Sequence, residues 1–447
     1  MIKDLTKGKP ARVLFHFTLP LFVSVIFQQM YSIGDSAIAG RFVGHDALAA
    51  VGASYPITML FMAVAIGSNI GSSVVISQLF GAKKFTQMKE AIYTSLFSCI
   101  GLGLLMSIPG VLFAESIMRL VSTPENIFAD SALYLKIFLG GFGFLFLYNI
   151  STAVFTAMGD STLPLIFLIA SSVGNIVLDY IFVRYFSMGV PGLAWATFIA
   201  QGAAGLLAVL TLKKRVDKIP VKENPKIFSL AMLRKIALIA IPSILQQSFI
   251  SVGNLMIQTL VNSFGSMVLA GYTAVIKLNT FTIISFHTIG SGISGFTGQN
   301  IGAGRTDRVK EGCRAGLMMG AAVGTFFLLL YCVNPRIPMK IFLKEEGVAM
   351  QTGIDFIYSI AFLYPFISAK LICDGVLRGA GAMKYFMIAT FADLIIRVIL
   401  AFFFAGFWGA RGIWLSWPFG WIVGTAISVM FYQKGYWIKK SSKKDEK

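Results

Sequence analysis

The sequence predicts an all-α integral membrane protein of about twelve transmembrane helices, arranged as two pseudo-symmetric six-helix bundles around a central cleft. Three observations carry that prediction. Of the 447 residues, 56% are hydrophobic and only 13% charged, with 40 Phe, which lies well outside the range of ordinary soluble domains. Apolar stretches of about 20 residues recur along the whole length, each enough to cross about 30 Å of hydrocarbon as a helix. Finally, the second half of the chain repeats the first.

The spans begin near Leu14, Leu48, Ala91, Ser131, Leu163, Gly192, Lys235, Ala270, Arg314, Gly353, Lys384 and Gly412, with boundaries soft by several residues. The formal net charge of +18 raises the question of nucleic acid, but the placement of the basic residues excludes it. Of the 38 Lys and Arg, 27 fall in the N-terminal segment, the even-to-odd connections and the tail. By the positive-inside rule both termini are then cytoplasmic, in a multi-pass protein of the cell membrane. "MIKDLTKGKPARVLFHFTLPLF" starts basic but has no small-residue cleavage site before an apolar run that continues, so the first span is expected to stay. Cys99, Cys313, Cys332 and Cys373 are scattered without CxxC spacing, which makes disulfide and metal readings weak. His16, His45 and His287 are too dispersed for a metal cluster.

The repeat organises the rest. "LAAVGA" (Leu48 to Ala53) recurs as "LAGYTA" (Leu269 to Ala274), and "SQLFGAKK" (Ser77 to Lys84) as "GQNIGAGR" (Gly298 to Arg305), both at an offset of 221. Met158-Gly159 reappears as Ala380-Gly381 at 222, and "GLAWA" from Gly192 as "GIWLS" from Gly412 at 220. An even number of spans per copy makes this a parallel repeat about an axis along the membrane normal. The expected domains are an N-terminal bundle (1–212), a basic cytoplasmic linker (213–235), a C-terminal bundle (236–434) and a basic cytoplasmic tail (435–447). Two like bundles that rock about a shared cleft describe a secondary transporter. Neither a Walker-type phosphate loop nor a dinucleotide fingerprint is present, and no nucleophile and base stand at recognisable spacing, so an enzyme is not expected.

Five acids fall within or at the edge of apolar spans: Asp35, Asp179, Asp355, Asp374 and Asp393. Asp393 precedes Arg397 by four residues and follows the same logic as Lys370 before Asp374, so each shares a helix face with its own counter-ion. Asp355 lies near a span end. For these three a structural role is expected. Asp35 and Asp179 have no basic residue within four positions, and an unpaired carboxylate in hydrocarbon costs at least about 2.5 to 3.5 kcal/mol. Such a group must be protonated, hydrated or bound to a cation. Asp35 lies 15 residues beyond Pro20 and Asp179 15 beyond Pro164, so each stands about 22 Å along an inside-to-outside span at 1.5 Å per residue, and the two can share one chamber. Tyr31 and Asn175 each precede one of these acids by four residues, giving it a hydrogen-bonding neighbour on its own face. Pro20 removes a backbone hydrogen bond inside the first span and permits a bend, and Pro242 is its equivalent in the second half. Glycines 67, 71, 290, 292 and 295 read as close helix packing. Met62, Met256 and Phe286 read as apolar lining, core or lipid-facing residues.

"TLPLFVSVIFQQMYSIGDSAIAGRFVG", "SQLFGAKK", "AMGDSTLPLIFLIASSVGNIVLDYIFV" and "GVPGLAWATFIAQ" resemble the first half of a multidrug and toxic compound extrusion (MATE) transporter. The pattern is most similar to the branch that includes the DNA-damage-inducible F proteins, and the likeness runs from about Ala11 to the last span. It implies twelve helices in two six-helix bundles and the export of mostly cationic, amphipathic compounds driven by inward movement of H+ or Na+; the expected partners are drugs and toxic organic cations and the lipid bilayer, with a monomer and no cofactor beyond the coupling ion expected. The family's cation-site residues fall on Asp35, Tyr31, Asn175, Asp179 and Thr197, with Na+ at Asp35, Asp179 and Asn175 where Na+ is the coupling ion, and its bending proline on Pro20. Some branches add a Glu and an Asp in the second bundle; the seventh span here lacks that Glu. A lipid-linked precursor flippase of the same superfamily is the alternative, although such proteins tend to place basic residues in the cavity.

Overall fold

In hydrocarbon every backbone N–H and C=O must find a partner within its own segment, so apolar runs of this length fold as helices. The computed structural model describes residues 3–343 and 346–438, with the backbone alone at positions 36, 37, 45 and 48, and all regular structure among them is helical. Most of the expected basic tail, from 439 on, lies outside the described residues. The order is α1 (Pro10–Ile38), a π-helical turn (Ala39–Val43), α2 (His45–Gly81), α3 (Phe85–Leu112), α4 (Ala114–Leu120), α5 (Glu125–Gly140), α6 (Phe142–Ala157), α7 (Thr162–Arg184) and α8 (Gly189–Asp217). The second half follows as α9 (Leu230–Asn262), α10 (Ser266–Gly302), α11 (Thr306–Val333), α12 (Arg336–Met339), α13 (Val348–Ala361), α14 (Tyr364–Gly379), α15 (Met383–Trp408) and α16 (Ala410–Gln433).

Ten of these helices are long and apolar enough to cross a membrane singly, and two bent pairs bring the number to twelve. The fourth and tenth spans are therefore broken, α5 and α6 by 47° and α13 and α14 by 54°. Each break has a local cause. Gly140-Gly141 interrupts the first pair, where Cβ on Gly141 would stand 2.7 Å from the Phe198 ring. Pro365 lies at the start of α14 and disfavours helix in the residue before it.

The chain separates into two compact units, the first Met1–Asp4 with Leu19–Gln247 and the second Leu5–Thr18 with Ser248–Lys447. Helices α1 and α9 each contribute to both. In α1 the change falls between Thr18 and Leu19, one residue before Pro20, and in α9 it falls five residues beyond Pro242. In the first unit α6 lies against α2, α3 and α8, and α7 against α8. Gly67 and Gly71 admit the first part of α9: Cβ on Gly71 would stand 2.7 Å from the Ala240 Cβ. The start of that segment is tied down where the Lys226 N–H donates to Glu90 Oε1 at 3.2 Å and the Ser229 N–H to Thr94 Oγ1 at 3.0 Å.

In the second unit α10 packs on α14 through Gly290, whose Cβ would stand 2.6 Å from the Leu371 carbonyl oxygen. Phe356, Trp414 and Tyr272 stack with ring centroids 4.5 to 5.7 Å apart in its apolar core. Leu5 is fully buried and its N–H donates to Gln299 Oε1 at 2.9 Å, while Arg308 donates to the Gly8 carbonyl at 2.8 Å. Each first helix of a half is thus anchored at its start by side chains of the unit to which that start belongs.

Asp160, in the turn between α6 and α7, accepts from the Thr162 and Leu163 N–H groups at 3.1 and 3.2 Å and from Arg215 on α8 at 2.7 Å. It satisfies two orphan donors of the α7 N-terminus and joins α7 to α8. Burial alone would raise its carboxyl, but the Leu163 N–H and the Arg215 guanidinium, among its partners, hold it below the ordinary Asp value. A depressed carboxylate contributes stability above its unfolded pKa of about 3.9 and loses it as pH falls through the lower folded value. Asp160→Asn is expected to lower the thermal unfolding temperature of the purified protein, at a cost of about 1–3 kcal/mol. The gap from wild type should be constant from neutral pH to about 4 and shrink below; a gap that widens on acidification contradicts the assignment.

Candidate functional site

Helices α1 and α7 bring the two unpaired acids together. Gly34 on α1 faces α7, where a Cβ would stand 3.4 Å from the Ile176 Cδ1, in ordinary van der Waals contact. The next residue along α1 is Asp35, and its carboxyl comes within hydrogen-bonding reach of Asp179 on α7. Asp179 is fully buried and Asp35 half-buried. Asp179 Oδ1 and Oδ2 have no donor, and neither does Asn175 Oδ1 one turn earlier. Two ionised carboxylates offer acceptors only, so the pair closes with a shared proton or with a cation between the oxygens.

The remaining residues expected at the site assemble around it. Asn175 Nδ2 donates to Thr197 Oγ1 on α8 at 3.3 Å, and Tyr31 lies near the same Thr197. Asp35, Tyr31, Asn175, Asp179 and Thr197 therefore form one cluster within the first unit. Its three donorless oxygens suit a hard monovalent cation such as Na+, or a proton, and contain no soft ligand. Among the described residues no group of three or more His, Cys, Asp or Glu is placed to hold a metal, so any ion here relies on Asn, Thr and Tyr oxygens as well. Pro20 lies inside α1, 15 residues before Asp35.

Tyr134 on α5 is a member of the cluster that sequence reasoning missed: its hydroxyl shares the electrostatic environment of Asp35 and Asp179, and its ring stacks on Phe138 at 6.5 Å. No helical spacing links α5 to α1 or α7, so only the fold could find it. Beside the cluster lies a cavity of about 230 Å³. Tyr31 and Asn175 line both. Gln28, Asn149, Ser171 and Gln201 contribute polar groups to it, and Phe138, Met62 and Tyr148 apolar faces. Gln28 and Gln201 were legible in principle, being three residues before Tyr31 and four after Thr197 on the same helix faces. No charged side chain lines the cavity. Met62 is thus a lining residue, Phe286 lies fully buried in the second unit, and Met256 is exposed.

The other intramembrane acids divide as follows. Lys370 donates to Asp374 at 2.8 Å, and Asp355 meets Arg411 at 3.1 Å. Asp393 departs from expectation. Its nearest cation is Lys370, at 3.8 Å, and Arg397 turns away to donate to Asn254 at 3.3 Å and to lie 4.5 Å above the Trp417 ring. Helical spacing put Asp393 and Arg397 on one face, but the aromatic face of α16 competes for the guanidinium.

A family model described as MatE matches the chain twice, over residues 20–181 and 242–403, an offset of 222 in both bounds. A Bacillus subtilis protein named for multidrug resistance, YpnP, is 28% identical over 97% of this chain and 97% of its own length. The Staphylococcus aureus multidrug export protein MepA is 24% identical over 72% and 71%. Among solved structures, a MOP superfamily transporter of Pyrococcus furiosus, described as having a binding pocket of reversed polarity, superposes with a TM-score of 0.90 at 19% identity, covering 97% of both chains. The Vibrio cholerae MATE transporter VcmN superposes with a TM-score of 0.88 at 20% identity, covering 95% of this chain and 97% of its own. Matched in both halves and over most of its length, this membrane protein belongs to the MatE family of multidrug and toxic compound extrusion transporters.

Proposed function

We propose that the protein is a secondary active multidrug efflux transporter that exports amphipathic, mostly cationic compounds in exchange for H+ or Na+ by alternating access. It acts as a monomer in the cell membrane with both termini cytoplasmic. One observation carries this reading: three buried oxygens without donors, Asp179 Oδ1 and Oδ2 and Asn175 Oδ1, beside a cavity that shares Tyr31 and Asn175 with them. A proton or Na+ between Asp35 and Asp179 and a ligand in the cavity draw on the same side chains. Each therefore alters the affinity for the other, and by the same factor.

In this scheme Asp35 and Asp179 hold the coupling ion, Asn175 and Thr197 complete its oxygen ligands, and Tyr31 links ion and cavity. Bending of α1 at Pro20 is the accompanying shape change. A monovalent cation that moves inward down 100 mV supplies about 2.3 kcal/mol, enough to support a substrate gradient of tens of fold. The neutral lining leaves recognition of an organic cation to aromatic faces, Met sulfur and amide or hydroxyl dipoles. A lipid-linked precursor flippase calls for cationic groups against phosphate, and the cavity lining has none.

Efflux of a fluorescent organic cation, measured in everted vesicles while the Na+ and pH gradients are collapsed one at a time, tests the coupling. Asp35→Asn and Asp179→Asn are expected to lower gradient-driven efflux by about tenfold, within the usual range of coupling between sites; efflux in both variants that still follows the imposed gradient defeats the assignment. Ala204→Leu adds bulk to the cavity wall and should raise the apparent KM by about tenfold, roughly 1.4 kcal/mol, with the ion dependence intact. An unchanged KM would place substrate elsewhere.

A further inference from the structure

The second unit holds a buried charge cluster that the scheme above does not use. The Lys370 ammonium on α14 lies between two carboxylates, 2.8 Å from Asp374 on its own helix and 3.8 Å from Asp393 on α15. Its side chain is only 3% exposed. Asp374 also accepts from the Ser428 hydroxyl on α16. Arg397 makes its direct contacts to the Trp417 face and to Asn254 and acts on Asp393 only through its charge at longer range. Among the described residues Lys370 is the one cation in ion-pair contact with these two carboxylates, Arg378 and Arg397 acting on them from farther away, and Asp393 Oδ1 has no donor at all. Glycines on α16 make room for the group: Cβ on Gly424 would stand 2.7 Å from the Asp393 Cβ and 2.8 Å from the Lys370 Cε, and Cβ on Gly420 2.8 Å from Asp393 Oδ1.

The internal repeat says what this place is. At the offset of 222 that relates the two matched halves, Lys370, Asp393 and Arg397 correspond to Tyr148, Ser171 and Asn175. At the 220 offset of "GLAWA" and "GIWLS", Gly420 and Gly424 correspond to Ala200 and Ala204. All five of those first-unit residues line the cavity. The second unit thus fills the equivalent of the first unit's cavity with its own charged side chains.

We propose that Lys370 is a resident, tethered cation that plugs a latent cation site formed by Asp374, Asp393 and Ser428. It occupies the space between the two acids permanently and, with the nearby charges of Arg378 and Arg397, leaves the second unit no need of a mobile ion, so ion exchange stays with Asp35 and Asp179. That last step rests on the proposed function; the plugged site itself does not. Lys370 is in this sense a specificity-determining residue, which fixes how many ions the molecule takes up rather than binding one in transit. A buried pair that served packing alone would tolerate loss of charge when the volume is restored. A resident cation must be replaced by another cation.

Chemical rescue distinguishes the two. Lys370→Ala removes three carbons and the ammonium, which propylammonium restores as a free molecule. The variant is purified in the Asp35→Asn background, so that ions at the first unit's pair do not contribute, and its thermal unfolding is followed. Propylammonium and Na+ should each raise the unfolding temperature saturably in Lys370→Ala and leave the Lys370 protein unchanged, while 1-propanol, of equal volume and no charge, should not. Adding Asp393→Asn to Lys370→Ala removes one of the two acids and should recover stability without added cation and abolish the response. No response to either cation, or an equal response to 1-propanol, overturns the proposal. Should Lys370→Ala fail to accumulate, recovery of the Lys370→Ala/Asp393→Asn protein supports it and failure of both overturns it. Efflux assays of the first-unit acids do not bear on this result, so the two readings fail separately.

Discussion

Two carboxyl groups that face each other in a buried place with nothing but acceptors between them cannot rest as two anions. Mutual repulsion and desolvation both act against the doubly ionised state, and the Asp35–Asp179 pair brings no lysine or arginine to relieve it. Every other feature of the first unit makes sense around that constraint. Gly34 on α1 faces Ile176 of α7 at this level, the Asn175–Thr197 bond brings α8, and Tyr134 brings α5. Four helices converge on a group that is incomplete by one positive charge or one proton.

The second unit repeats the backbone and inverts the chemistry. Where α7 carries Asn175, α15 carries Arg397, and where α8 carries Thr197, α16 carries Trp417. The pairs still meet, as an Asn–Thr hydrogen bond in one unit and a guanidinium over an indole in the other. A parallel repeat preserves the contacts between helices while leaving each copy free to change what is exchanged across them. Here one copy keeps a cavity lined by neutral polar groups, and the other closes the same place with Lys370 and its two acids.

Helices α1 and α9 carry a different kind of information, because each belongs to both units. Their prolines lie close to the point where membership changes. A proline interrupts the hydrogen-bond ladder and makes a bend cheap, so each shared helix is least stiff near the boundary between its two attachments. The Tyr31 and Asp35 side chains lie on the part of α1 that belongs to the first unit, and the Leu5–Thr18 segment, fixed by Gln299 and Arg308, to the second. Occupancy of the acid pair thus acts on a helix whose other end is held elsewhere.

Much of this was written in the chain itself. Hydropathy and length determined that the protein spans a membrane, since no other environment stabilises so many apolar helices, and the repeated motifs determined two like halves. Local charge bookkeeping separated Asp35 and Asp179 from Asp374, because a counter-ion four residues away on a helix is a local matter, and a place near a span end separated Asp355. The same rule misassigned Asp393, whose neighbour Arg397 answers to an aromatic ring on another helix. Only the tertiary structure decided which helices meet: that Asp35 reaches Asp179, that Tyr134 joins them, that α5 and α6 break at Gly140-Gly141, and that Lys370 serves two acids at once. Those facts depend on packing between segments far apart in sequence, where the glycines that permit close approach and the side chains that compete for each charge are set by neighbours that helical periodicity does not name.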